Sequence, residues 1–256
     1  MVHPRAIVLR APGTNCDEET AYAWECAGAS AETWHVGRII ESPHSLDAFQ
    51  IVTLPGGFSY GDDLGAGRIL ATRLSTVLGE SLGRFHDRGG LILGICNGFQ
   101  VLVKAGLLPG GSTRSAATLT HNDSGHFESR WSRLAPSPGL SPFFNDPEPL
   151  ELPVAHGEGK FLMADPTALA DLEAAGQVVL RYVDEEGRPT QLYPDNPNGS
   201  LGAVAGLCDP TGRIVGLMPH PERHIDPLHH PRWTRRGPAL EGDGLRLFRS
   251  AVDVWR

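Results

Sequence analysis

The sequence predicts an α/β fold, a central mostly parallel sheet flanked by helices with an added β-rich part in the second half. Three observations predict it. Short apolar runs alternate with helical stretches through the first 110 residues, as expected of a parallel sheet covered on both faces. The run "GLILGI" (90 to 95) passes through Cys96 straight into the helical pattern "GFQVLVKAG" (98 to 106). After residue 112 the apolar runs are short and strand-like, with little helix between them.

Taken in order, "AIVLR" (6 to 10) reads as a strand ending in a Pro-Gly turn. Asn15, with Glu18 three residues on, reads as a capping pattern opening a helix that runs to about Gly28. "ETWHV" (32 to 36) and "QIVTLP" (50 to 55) are further strands, and a helix is expected over much of 66 to 88, after a glycine-rich segment. In the second half "TRSAATLT", "HFESRWSRL", "PLELPVA" and "QVVLRYV" read as strands, with a helix at about 166 to 175. "GAVAGLCD" and "RIVGLMP" flank the turn "PTG" as a hairpin. The last segment places Leu245, Phe248, Val252 and Trp255 on one helical face, to pack against the sheet. "APSPGLSPFFNDPEP" (135 to 149) has the proline content of a linker but is read as an excursion within one domain, residues 4 to 256, because the candidate site uses residues on both sides of it.

A formal charge of −8 and a pI near 5.7 argue against a general nucleic-acid or anionic-membrane partner. The His/Arg-rich stretch "HHPRWTRR" (229 to 236) is a local exception, read as a solvated or contact surface. No stretch reads as a signal peptide or approaches the ~20 apolar residues of a membrane span. Cys16, Cys26, Cys96 and Cys208 stand singly, as reduced thiols do, and a cytoplasmic location is expected.

Cys96 sits between Gly94 and Gly98 at a strand-to-helix turn, the cysteine counterpart of a nucleophile elbow. The glycines keep side chains away, the helix N-terminus favours thiolate, and the Asn97 amide can face a developing oxyanion. On this stretch alone a structural cysteine remains the alternative. A thiol that attacks acyl groups also needs a base and a group to orient it. "GLMPHPERH" offers His220 after an apolar strand and Glu222 two residues on, across Pro221. That spacing lets the carboxylate reach the imidazole nitrogen turned away from the sulfur. "TLPGGFSYGDDLGAG" ends a strand in Pro-Gly-Gly, where the Gly57 amide is a candidate second oxyanion donor. His220 and His224 have the i, i+4 spacing of a zinc motif, but Pro221 argues against an α-helix there and Glu222 is misplaced for H-E-x-x-H.

On these residues the chain resembles the triad (class I) glutamine amidotransferases. It is most similar to their phosphoribosylformylglycinamidine synthase glutaminase branch, through "GTNCDEETA", "LPGGFSYGDDL", "GICNGFQVL" with "GLLPG", "HNDSGHFESRW", "AHGEGK", "NPNGS" and "MPHPER". These run in order from about residue 6 to residue 224. The resemblance implies the flavodoxin-like class I amidotransferase architecture. It implies Cys96, His220 and Glu222 as a catalytic triad acting on glutamine, Gly57 and Asn97 amides as oxyanion donors, and Gln100 as part of the glutamine pocket. It also implies delivery of ammonia to a synthetase subunit, with a small accessory subunit. ATP and Mg are expected on that synthetase and no cofactor in this chain, which has no Walker-type loop. Asp63 stands where many relatives have an aromatic residue, and His126 where a basic one is expected. For "AHGEGK" and "NPNGS" the residues suggest turns, and the resemblance suggests partner contact. The alternatives are a glutaminase serving a different ATP-dependent synthetase, and a binding module that kept the fold without the chemistry.

Overall fold

The computed structural model describes residues 3–110, 117–237 and 239–256. Strand β1 (Arg5–Arg10) is followed by α1 (Asp17–Ala27), β2 (Ser30–His35), α2 (Val36–Glu41) and β3 (Ile51–Leu54). Next come α3 (Arg68–Arg73) and α4 (Gly79–Asp87), joined by a π-helical turn at Leu74–Leu78, so the helix expected over 66 to 88 is present in three pieces. Then β4 (Leu91–Ile95) leads into α5 (Asn97–Lys104). The second half contributes β5 (Ala117–Thr120), β6 (Glu128–Pro136), β7 (Leu150–His156), β8 (Lys160–Met163), α6 (Leu169–Ala174), β9 (Val178–Tyr182), β10 (Val204–Cys208) and β11 (Ile214–Leu217). Helices α7 (Trp233–Arg236) and α8 (Asp243–Asp253) close the chain. Of the strand expected at 113 to 120, positions 113 to 116 lie outside the described residues.

The main sheet has the order β2-β1-β3-β4-β11-β10-β9-β6-β7. Its first five strands are parallel. From β11 onward every neighbour is antiparallel. The β-rich second half is thus a continuation of the same sheet rather than a separate layer. Only β5 and β8 stand apart, as a small antiparallel pair.

The inner parallel strands β1, β3, β4 and β11 are near-continuous apolar runs because helices cover both faces, while the edge strand β2 (SAETWH) is half-exposed. Ile7, Val8, Ile51, Val52, Ile92 and Leu93 are fully buried. Helix α8 packs against both α1 and β7, with the Phe248 ring edge-on to Trp24 at 4.8 Å. Leu245, Phe248 and Val252 are buried, and Trp255 packs half-buried against the core. The proline-rich 135 to 149 segment connects the neighbouring strands β6 and β7. It is pinned by Phe143 and Phe144, both buried.

The expected cap on α1 is not formed. The helix starts at Asp17 with Cys16 as N-cap and no side-chain cap bond. The Asn15 side chain instead accepts from the Cys16 thiol at 3.2 Å. The first-turn carboxylates Asp17, Glu18 and Glu19 supply the favourable interaction with the helix dipole. The other end matches expectation, with Gly28 in the left-handed conformation.

Helix α5 lies so close to the sheet that a Cβ on Gly98 would overlap the Leu54 carbonyl. That contact is backbone and cannot yield. We expect Gly98→Ala to lower the unfolding free energy by about 3 kcal/mol or more. Gly83→Ala, in α4 with open space around it, should raise it by about 0.4–1 kcal/mol. Urea titration of the two variants checks the contrast, and equal shifts would contradict the packing account.

Candidate active site

Strands β3, β4 and β11 run parallel and adjacent. Their carboxyl ends therefore deliver Gly56-Gly57, Cys96 and His220 to one edge of the sheet. Cys96 occupies φ 49°, ψ −104° as the N-cap of α5. A non-glycine residue in this region is strained, and neighbouring packing must hold it there. Its amide donates to Leu217 O at 2.8 Å, and its sulfur is 3.6 Å from Ala155 O.

His220 follows β11 and is held by its own amide, which donates to Pro153 O on β7 at 2.8 Å. Its Nδ1 is 2.6 Å from Glu222 Oε1, and both side chains are buried. Pro221 starts a single 3₁₀ turn, Pro221–Arg223, and this turn swings the carboxylate back onto the imidazole. The opposite nitrogen, Nε2, makes no hydrogen bond to a described residue, and neither does Glu222 Oε2. Burial opposes protonation of His220. The Glu222 charge and the neighbouring Cys96 and Cys16 sulfurs outweigh burial and hold the imidazole well above its ordinary value. Gly56 makes room for the ring, since a Cβ there would lie 2.7 Å from His220 Cε1.

A cavity of about 220 Å³ opens onto Cys96, with Gly57, Asp62, Gln100, His156 and Glu158 in its walls. The exposed rings of Phe58 and Phe127 stand at it, centroids 6.5 Å apart. A larger cavity of about 460 Å³ lies elsewhere, lined by Leu74, Leu82, Leu107 and Asp209. It has no cysteine or histidine, so size does not decide the site. Gln100 lines this cavity, and its Nε2 donates to Glu158 O at 2.6 Å. The Asn97 side chain acts as a tie. It accepts from Ser59 N at 3.2 Å and donates to Asp62 Oδ1 at 3.1 Å and Gln100 Oε1 at 3.0 Å. The Asn97 amide, in the first turn of α5, has no acceptor inside the helix. His220 and Glu222 do not line the cavity.

Two groups escaped the sequence reading. "AHGEGK" and "NPNGS" do bend the chain as expected, but together with the "HND" of 121 to 123 they are also partly buried. His156 Nδ1 meets Asn122 Oδ1 at 3.1 Å. Asn198 donates to Gly159 O at 2.9 Å and Tyr182 Oη at 3.2 Å, and Ser200 Oγ donates to Asn198 Oδ1 at 2.7 Å. This network backs the cavity wall opposite α5. Buried Asn and Ser clusters leave no periodic signal in a sequence. The second group is Cys16, whose sulfur lies within 4.8 Å of ligand atoms of both His220 and Glu222 and accepts from Arg223 Nη2 at 3.1 Å. Burial pushes the Cys16 thiol up, against the pull of the neighbouring His220. Cys16 shares with Cys96 a helix N-terminus and a neighbouring imidazole. What distinguishes Cys96 is that it lines the cavity.

In the His/Arg-rich stretch, His230 is buried and bonds Glu151 Oε2 at 2.7 Å. Arg236 joins the same carboxylate at 3.0 Å. Part of that stretch is therefore packed inward rather than solvated. Asp63 and His126 are both exposed. No helix among the described residues is long and apolar enough to cross a membrane.

A thiol on a strained strand–helix turn, with a carboxylate-bound imidazole nearby, is the side-chain set of a cysteine-nucleophile site. The family of CobB/CobQ-like glutamine amidotransferase domains matches residues 3–255. The chain is 50% identical over 250 residues to the phosphoribosylformylglycinamidine synthase subunit PurQ of Dehalococcoides mccartyi, covering 97% of this chain and 96% of that protein. It is 39% identical to the PurQ subunit of Archaeoglobus fulgidus, over 97% of this chain and 96% of the other. Among solved structures it is similar to a chain of the PurLQS structure from Thermotoga maritima, with TM-score 0.76, 32% identity and full coverage of both chains. The chain belongs to the glutamine amidotransferase family, and within it to the phosphoribosylformylglycinamidine synthase glutaminase branch. The match extends past residue 225 and through the proline-rich segment, which the motifs alone did not reach.

Burial, and then the charge of His220, hold His156 down at about 4, against about 6.5 in an unfolded chain. As pH falls through that window the unfolded chain binds the proton first. The His156 contribution to stability therefore declines between about pH 6.5 and about pH 4, by on the order of 3 kcal/mol. The raised His220 has the opposite sign, its contribution being complete below about pH 6.5 and lost as pH rises through its native value. We expect the stability gap between wild type and His156→Gln to shrink on acidification, read from urea midpoints across pH. A pH-independent gap would show that His156 does not stay neutral in the native state.

Proposed function

We propose that the chain hydrolyses glutamine to glutamate and ammonia and passes the ammonia to a synthetase subunit. That subunit would convert formylglycinamide ribonucleotide to formylglycinamidine ribonucleotide with ATP, in purine biosynthesis. The observation that carries the chemistry is the buried 2.6 Å His220–Glu222 contact behind a cysteine held at φ 49°. The partner and pathway rest on the 50% identity to a PurQ subunit over nearly the whole chain. No observation favours a different synthetase.

On this reading Cys96 loses its proton to His220 Nε2 and the sulfur attacks the carboxamide carbon. Amides of Gly57 and Asn97 hold the oxyanion that forms. The imidazolium, stabilised by Glu222, gives its proton to the departing nitrogen as the C–N bond breaks. Ammonia leaves and a glutamyl thioester remains. Water, deprotonated by His220, then cleaves the thioester, releasing glutamate and restoring the thiol. Gln100 and the Asp62–Asn97 wall shape the pocket. Residues 4 to 256 act as one domain, no cofactor is needed in this chain, and ATP and Mg belong to the synthetase. A small accessory subunit completes the complex, in the cytoplasm.

We expect Cys96→Ala to abolish glutamine-dependent synthesis by the assembled complex while ammonia-dependent synthesis persists. Equal loss of both would reject the division of labour between two sites. The triad makes a second prediction. Glu222→Gln keeps a hydrogen bond to the imidazole but not the charge that stabilises its protonated form, so kcat should fall roughly 10²- to 10⁴-fold. His220→Ala should be at least as damaging and the double variant little worse, since the pair acts as one unit. Multiplicative losses in glutaminase kcat would place Glu222 elsewhere in the mechanism.

A further inference from the structure

Glutamine carries an α-ammonium as well as its amide, and a pocket that selects it from other amides must meet that charge. The cavity over Cys96 holds two acidic side chains, Asp62 and Glu158. They differ in how they are held. Asp62 Oδ1 accepts from the Gly67 amide at 2.9 Å and from Asn97 Nδ2 at 3.1 Å. Its other oxygen makes no hydrogen bond to a described residue, and among the described residues no ion pair reaches either oxygen. Asn97 directly follows Cys96, so a single side chain ties this carboxylate to the sulfur's own turn. The backbone adds to the anchoring, with Asp62 itself at φ 53° in a loop where Tyr60 is also left-handed.

We infer that Asp62 receives the α-ammonium of the substrate on its free oxygen, and so sets the preference for glutamine over amides without an α-amino group. This rests on the glutaminase reading above. A half-buried carboxylate with a fixed side and an open side suits a cationic ligand, because burial withdraws water and no protein cation replaces it. Burial indeed pushes the Asp62 carboxyl up, against the hydrogen bonds from Gly67 and Asn97 and the charge of Lys104. Lys104 does not compete for the open oxygen, since it forms no ion pair with Asp62. The Glu158 charge raises Asp62 further, but among the described residues the Glu158 carboxylate has no hydrogen bond that fixes it to the Cys96 turn, where its backbone carbonyl holds Gln100.

The test compares two substrates of the assembled complex, glutamine and 4-carbamoylbutanoate, which is the same amide without the amino group. Asp62→Asn should raise KM for glutamine roughly 10- to 100-fold, the weight of one charge-assisted hydrogen bond, with kcat within about threefold. Turnover of 4-carbamoylbutanoate should fall at least tenfold less than kcat/KM for glutamine, and alkylation of Cys96 by iodoacetamide, which carries no charge, should persist. Labelling by 6-diazo-5-oxonorleucine, which keeps the α-ammonium, should slow in parallel with the glutamine KM. Asp62→Gly suits the left-handed backbone and is the second variant, with the same shift expected should Asp62→Asn lose iodoacetamide reactivity. An unchanged glutamine KM in a variant that still alkylates, or equal losses with both substrates, overturns the role of Asp62 while leaving the glutaminase reading intact. Failure of the wild-type complex to release ammonia from glutamine would instead overturn that reading, and this inference with it.

Discussion

The structure depends on how closely helix α5 approaches the sheet. Gly98 packs against the Leu54 carbonyl and Gly94 faces Gly98 across the turn, with no room for a Cβ at either. Because the helix must start that close to the strand, the residue between them is forced to φ 49°. Conformational strain of this kind costs of order 1–3 kcal/mol. Here it is held by parallel strands paired on both sides of β4. The reactive position of Cys96 follows from backbone packing, and its own side chain contributes little to it.

The same arrangement explains how His220, the proposed base, can be buried. A buried ion pair gains little over apolar packing, but losing one partner leaves an uncompensated charge. His220 and Glu222 are supplied by one short turn, so neither is present without the other. Their turn is fixed to α1 through Arg223, which bonds Glu19 Nε-to-Oε1 at 2.9 Å. It is also fixed to β7 through the His220 amide. The antiparallel extension therefore does more than enlarge the sheet. It brings Pro153, Ala155 and His156 across to face the elbow, and the Asn122–His156–Asn198 network keeps that wall polar yet satisfied.

Much of this was legible in the sequence, for physical reasons. Strand β4 with its flanking glycines, and the His-Pro-Glu after β11, are local patterns whose geometry follows from the chain's own sterics. Parallel pairing then brings separate strand ends to one edge without further information. The features that were not legible depend on contacts distant in sequence. Asn15 looked like a cap because Ser, Thr, Asn and Asp usually cap, but its carboxamide turns to the Cys16 thiol and the helix starts one residue beyond that cysteine. "AHGEGK" looked like a turn because glycines dominate it. Its His156 is buried only because Asn122 and Asn198 come to meet it from 34 and 42 residues away. Polar clusters assembled at that range leave no periodicity behind.

Cys16 sharpens the argument about reactivity. By residue type and local setting it rivals Cys96, since each caps a helix and each lies by the His220 ring. Three differences separate them. The first turn of α1 carries Asp17, Glu18 and Glu19, which offset the positive helix end that would favour a thiolate, whereas the first turn of α5 has no acidic residue. Burial pushes the Cys16 thiol up. Finally, Cys16 does not line the cavity through which substrate would arrive. A base within reach is therefore not enough to make a nucleophile. On the proposed function the thiol must also face the substrate with unopposed helix amides behind it, and in this fold the strained turn at Cys96 meets both conditions.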